Sequence, residues 1–129
     1  MTWPPTLEDY LHVVSAVCGV EVAHARAVVD LGRAESALRA PFAGVGGHPR
    51  YRTIEEKVAV LAERLARDGP IRDGGNEPCA FVMAVLFAER NGRLWRPEDS
   101  DRDAGMMEAL ANVRAGHSQA LAWVHERTR

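Results

Sequence analysis

Residues 67–81 read Arg-Asp-Gly-Pro-Ile-Arg-Asp-Gly-Gly-Asn-Glu-Pro-Cys-Ala-Phe. An apolar-periodic segment ends at Arg67 and another begins after Asn76, with three glycines and Pro70 between them. The pattern predicts a helix, a glycine-rich loop and a second helix. Asn76 is placed to cap that second helix. Pro78 falls in its first turn, where a missing N–H does no harm. A loop running into a helix N-terminus presents free backbone N–H groups, which suit an anion such as phosphate. Arg72, Asp73, Gly74, Gly75 and Asn76 are the candidate anion-loop residues. Two plainer readings stay open: Asp73 as a turn residue bonding its own backbone, and Asn76 as an ordinary cap.

Helical periodicity continues in both directions. Upstream, Thr53 caps a helix that runs to Arg67, with Glu55 and Glu56 in its first turn. Ile54, Val58, Leu61 and Leu65 mark its inner face, and Lys57, Glu63, Arg64 and Arg67 are assigned to water. Downstream, residues 77–90 include an unbroken apolar run from Ala80 to Ala88. A helix apolar all round is expected at the centre of a bundle, so this one is expected to be the most buried. Nearer the N-terminus, Thr6 caps a first helix that Gly19 ends, residues 22–30 form a second, and residues 33–40 form a third stopped by Pro41. Residues 42–52 hold three glycines and a proline and are expected to be a surface loop without regular structure. A turn over residues 95–100, with Trp95 packed under it, leads to helices over 101–115 and 118–127. The fold class is all-α, one domain over residues 1–129, with no strands expected.

Composition limits the function. The 129 residues are 47% hydrophobic and 26% charged, with a net charge of −2, so no general electrostatic attraction to nucleic acid is expected. No apolar run approaches ~18 residues, so no membrane span is expected. Residues 1–5 lack a basic region followed by an apolar one, which points to a cytoplasmic protein. Cys18 and Cys79 match no metal or redox spacing and read as small core or near-core thiols. The alternative for Cys79 is a reactive thiol whose pKa a helix dipole lowers. His12, His24, His48, His117 and His125 lack metal-ligand spacing and read as surface or capping residues.

Residues 69–81 resemble the catalytic loop of the Doc branch of the Fic/Doc family, His-Pro-Phe-x-Asp-Gly-Asn-Lys-Arg-Thr-Ala-Phe. Gly69 stands at the family histidine, Gly75 reads as an insertion, and Glu77 and Pro78 replace the lysine and arginine. The similarity continues elsewhere. Residues 31–41 resemble the family's Leu-x-Ser-Ala-Leu-x-x-Pro region, and residues 53–61 its Leu-x-Glu-Lys-Ala-Ala-x-Leu helix. Ala115-Gly116 with Leu121 and Trp123 resembles its C-terminal pattern. The resemblance implies a compact bundle of about six helices. It also implies nucleotide-dependent transfer to a protein hydroxyl: phosphate from ATP to elongation factor Tu in Doc proteins, AMP in Fic relatives. Mg²⁺ is the implied metal, with Asp73 as its ligand, and a Phd-like antitoxin is the implied partner.

Such transfer needs a group to position or deprotonate the hydroxyl and cations to support the phosphates. Gly69 cannot take a proton. Glu77 reverses a charge, and at ~4 Å with an effective dielectric near 20 one such pair amounts to about 4 kcal/mol before screening. Loss or strong weakening of the transfer is therefore expected, with no catalytic residue assigned. Two alternatives remain: a rebuilt enzyme using Asp73, Asn76 and a displaced Arg72 or Arg93, and a non-catalytic antitoxin- or protein-binding module.

Overall fold

The computed structural model describes residues 2–97 and 100–129. Glu98 and Asp99, part of the expected 95–100 turn, lie outside the described residues. The described chain is all-α, with helices α1 Leu7–Cys18, α2 Val22–Val28, α3 Leu31–Arg39, α4 Ile54–Asp68, α5 Asn76–Arg90, α6 Ser100–Ala111 and α7 His117–Arg127. The starts of α1 and α4 follow from their sequence. Thr6 accepts from the Asp9 N–H while the Asp9 carboxylate accepts from the Thr6 N–H, both at 3.1 Å. Thr53 and Glu56 make the same reciprocal box at α4.

The centre of the bundle differs from expectation. α4 buries Lys57, Val58, Ala59, Val60, Leu61, Ala62, Leu65 and Ala66, and packs against α3, α5, α6 and α7. α5 buries fewer residues: Cys79, Ala80, Met83, Ala84, Phe87 and Ala88. Its Val82 is exposed, and Val85 and Leu86 are only partly covered. An apolar run shows what a helix is able to bury, and neighbours decide what it does bury. Lys57, assigned to water, is buried as well. Its stem lies in the core and its Nζ donates to the Tyr51 carbonyl at 2.6 Å.

The segment expected to be irregular contains a small antiparallel hairpin, β1 Gly44–Val45 with β2 His48–Pro49. Gly46-Gly47, both at positive φ, make its two-residue turn. No single helix among the described residues is long and apolar enough to cross a membrane.

The C-terminal helices are fastened by one buried carboxylate. Asp103 of α6 accepts from Trp123 Nε1 at 2.8 Å and from Arg127 at 2.8 and 2.9 Å. Trp95 stacks edge-on against Trp123 with ring centroids 4.9 Å apart, and it pairs in an isolated bridge with Thr128. Trp95 thus packs on the C-terminal helix α7 and its end. Asp103 and Arg127 are both almost fully covered, so removing one partner strands a buried charge. Asp103→Ala is expected to cost about 3–5 kcal/mol of stability in urea unfolding. A loss below about 1 kcal/mol, the range of exposed pairs, would show that the pair is not the fastening described.

Candidate functional site

The loop between α4 and α5 is held on both flanks. Its first half pairs with the link between α2 and α3. The Asp30 N–H donates to the Pro70 carbonyl at 2.8 Å, and the Arg72 N–H donates to the Val28 carbonyl at 3.1 Å. Val29 and Ile71 form the antiparallel bridge between them, and both are buried. Its second half is closed by Asn76. The Asn76 Oδ1 accepts from the Ile71 N–H at 2.9 Å, and its Nδ2 donates to the Ile71 carbonyl at 3.0 Å.

Asn76 was expected to cap α5 and is instead its first residue. Gly75 takes the cap position in the left-handed region, with φ of 92°. The cap thus falls one place before Asn76, and the Asn76 amide turns back onto Ile71. Gly75 is tightly constrained, because a Cβ there would lie 3.1 Å from the Cys18 sulfur. Gly69 ends α4, also in the left-handed region, with φ of 57° and ψ of 59°. A Cβ at Gly69 would make ordinary contact with the Asn76 amide at 3.5 Å. A side chain there meets backbone strain even though its Cβ has space.

Among the described residues no acceptor takes the N–H of Asp73, Gly74, Gly75, Asn76 or Glu77. Arg72, Asp73 and Gly74 are exposed, and Arg72 makes no ion pair among the described residues. The start of α5 lies between two cavities. One, of about 450 Å³, is lined by Cys18, His24, Asp73, Gly74, Gly75 and Pro78. The other, of about 300 Å³ and almost wholly apolar, lies between α5 and α6 and is lined by Glu77, Pro78, Phe81 and Met107.

The other candidate cation is elsewhere. Arg93 follows α5, whose 15 residues place it roughly 22 Å along the helix axis from the loop. Its Nε donates to Glu55 at 3.0 Å. Glu55 is pulled below the ordinary carboxylate range: partial burial, the largest single influence, raises it, and the bond from Arg93, a backbone bond and the charges of Arg93 and His125 together outweigh it. Arg67, two residues before Gly69, is occupied by Glu63 and by the Leu110 and Ala115 carbonyls.

No group of three or more metal-binding side chains gathers among the described residues. A Mg²⁺ ion at Asp73 would take most of its ligands from phosphates and water, a mode that ion commonly adopts. His24 lines the cavity beside the loop. His117 lies away from it, stacked on Tyr51 with ring centroids 5.4 Å apart. The Cys79 thiol runs opposite to the dipole expectation. Burial, and then the neighbouring Cys18, pushes it up to about 12. Cys18 is exposed rather than core. Its approach to the loop has no signal in local sequence, since α1 and the loop meet only in the fold.

Over 105 residues, 81% of this chain and 77% of the relative, the sequence is 33% identical to the toxin Doc of Mycolicibacterium smegmatis. The chain belongs to the Doc toxin family. No family model matches it. The match extends well beyond the loop, so the Doc relationship does not rest on the loop alone.

In this Doc-family chain Asn76 satisfies two backbone groups that otherwise lose their partners. Asn76→Ala is expected to lower stability by about 1–3 kcal/mol, the range for unpaired, partly buried polar groups. Thermal unfolding measures it, and an unchanged melting temperature would mean that the loop is closed by other contacts.

Proposed function

We propose that this Doc-family protein keeps the loop as a weak anion-binding scaffold and has lost, or strongly weakened, nucleotide-dependent transfer to a protein hydroxyl. The observation that carries this reading is Gly69 at the position of the family histidine. It closes α4 in a left-handed conformation, and no side chain there takes a proton. Glu77, where the resemblance puts a lysine, lies in the first turn of α5 beside the free N–H groups. Pro78, in place of the arginine, removes both a cation and a donor.

Arg72, Asp73, Gly74, Gly75 and Asn76 are the proposed anion-loop residues. Arg72 would supply the charge, Asp73 would take a Mg²⁺ that arrives with phosphates, and the backbone N–H groups would meet phosphate oxygens. Asn76 acts through its hold on Ile71. When bound, ATP and Mg²⁺ bring a transferable phosphoryl group, but no base in the loop activates an acceptor for it. The Doc relationship supports a place in a bacterial toxin–antitoxin system. The proposed partner is a Phd-like antitoxin, and the proposed compartment is the cytoplasm.

Elongation factor Tu is the family target to assay. Incubation of purified factor and radiolabelled ATP with this protein is expected to give no labelling comparable with that by an intact Doc toxin. Robust labelling would favour the rebuilt enzyme, for which Arg72 is the available cation.

The loop's affinity for nucleotide is expected to be low. Dipole and free N–H groups favour an anion by about 0.3–1 kcal/mol at an exposed helix start, and Glu77 opposes them. Titration calorimetry with ATP and Mg²⁺ is expected to show weaker than micromolar binding by the parent and tighter binding by Glu77→Lys. Tight binding by the parent with no gain in the variant would overturn the weakened-site reading.

A further inference from the structure

Cys18 and Cys79 lie far apart in sequence and are both free thiols, one exposed and one buried. Cys18 ends α1, and Cys79 lies near the start of α5. The Cys18 sulfur stands 3.1 Å from the point a Cβ on Gly75 would occupy. Gly75 and Cys79 are one helical turn apart, fixed by a 3.2 Å bond from the Cys79 N–H to the Gly75 carbonyl. Residues at that spacing share a helix face, and helical side chains lean toward the N-terminus. The Cys79 side chain thus leans toward the place the Cys18 sulfur occupies. After burial, Cys18 is the neighbour that raises the Cys79 thiol.

Two further observations bear on this pair. Cys18 lines the open cavity of about 450 Å³ beside the loop, which gives a small solute access to it. The Tyr10 hydroxyl is buried without a hydrogen-bond partner among the described residues. Its pKa is raised, by burial first and then by Cys79 and Cys18.

We propose that Cys18 and Cys79 are a modification site, forming a reversible disulfide that ties the end of α1 to the start of α5 under the anion loop. The oxidant is a hydroperoxide. The Cys18 thiolate attacks its terminal oxygen, the O–O bond breaks, and the alkoxide leaves with a proton as an alcohol. Cys18 becomes a sulfenic acid. The Cys79 sulfur then attacks the Cys18 sulfur, and its proton departs with the displaced hydroxide as water. Two thiols and one hydroperoxide give one disulfide, one alcohol and one water. A thiol reductant returns both cysteines by exchange. The division of labour follows from position: the solvent-facing thiol meets the oxidant and the buried one resolves the product. Disulfides that form and break in this way are the kind found in reducing compartments. The bond would fix Gly75, and with it the mouth of the loop, to α1. The proposal does not depend on whether the loop transfers phosphate.

The test treats the purified full chain with hydrogen peroxide and follows thiols and mass. The expected result is loss of both thiols from a monomer, a mass lower by two hydrogens and a Cys18–Cys79 cross-linked peptide, all reversed by dithiothreitol. Cys79→Ser is expected to stop at a Cys18 sulfenic acid that dimedone traps. Cys18→Ser, at an exposed position, is expected to leave Cys79 reduced under the same treatment. Oxygen added at Cys18 or a disulfide between two copies, with Cys79 still titratable in the parent, would overturn the proposal. So would two unreacted thiols.

Discussion

The Asn76 side chain holds both backbone groups of Ile71 at once, its Oδ1 on the N–H and its Nδ2 on the carbonyl. Ile71 is also half of the bridge to Val29, and its own side chain is buried. This one amide therefore couples the α2–α3 link, the loop and the first turn of α5. With Ile71 held in place, the turn is short, and the N–H groups of Asp73 to Gly75 have no acceptor among the described residues. If Ile71 were released, the two polar groups it shares with Asn76 would need new partners, in a region where water reaches only part of the surface.

That coupling separates the loop's shape from its chemistry. The shape is made by backbone and by residues that touch no substrate: Gly69 closing α4, Gly75 opening α5 and Asn76 between them. The chemistry depends on side chains that project from the same backbone, and the proposed weakening of the transfer rests on those side chains. Glu77 and Pro78 occupy helix positions that tolerate them well. An acid in a first turn favours the helix, and a proline there loses no bond. The same changes that suit α5 work against a bound phosphate.

Much of the fold was legible in sequence because it is written in local pairs. Thr6 with Asp9 and Thr53 with Glu56 mark helix starts by residue type and spacing alone, and the apolar periodicity carries each helix to its end. The hairpin at Gly44–Pro49 was not legible, because strands of two residues have no alternation to read. The place of α4 at the centre was missed because burial depends on neighbours, and α5 has the more apolar composition. At the site, the anion-loop candidates are contiguous in sequence and lie together in the fold. The Asn76 amide was read as a cap because the cap at Gly75 is a backbone effect. The contact between Cys18 and Gly75 joins segments that only the packing of α1 on α5 brings together.

The most direct measurement is amide hydrogen exchange across residues 69–79 of the unmodified, reduced protein, resolved residue by residue. The Ile71 and Arg72 N–H groups, bonded to Asn76 and to Val28, are expected to exchange slowly. Those of Asp73 to Glu77 are expected to exchange at rates near those of an open chain. This contrast is what a braced loop with free donors requires. Uniformly fast exchange through Ile71 and Arg72 would show that Asn76 does not hold the loop. Protection of Asp73 to Glu77 would show that their donors are already occupied and that no anion site is presented.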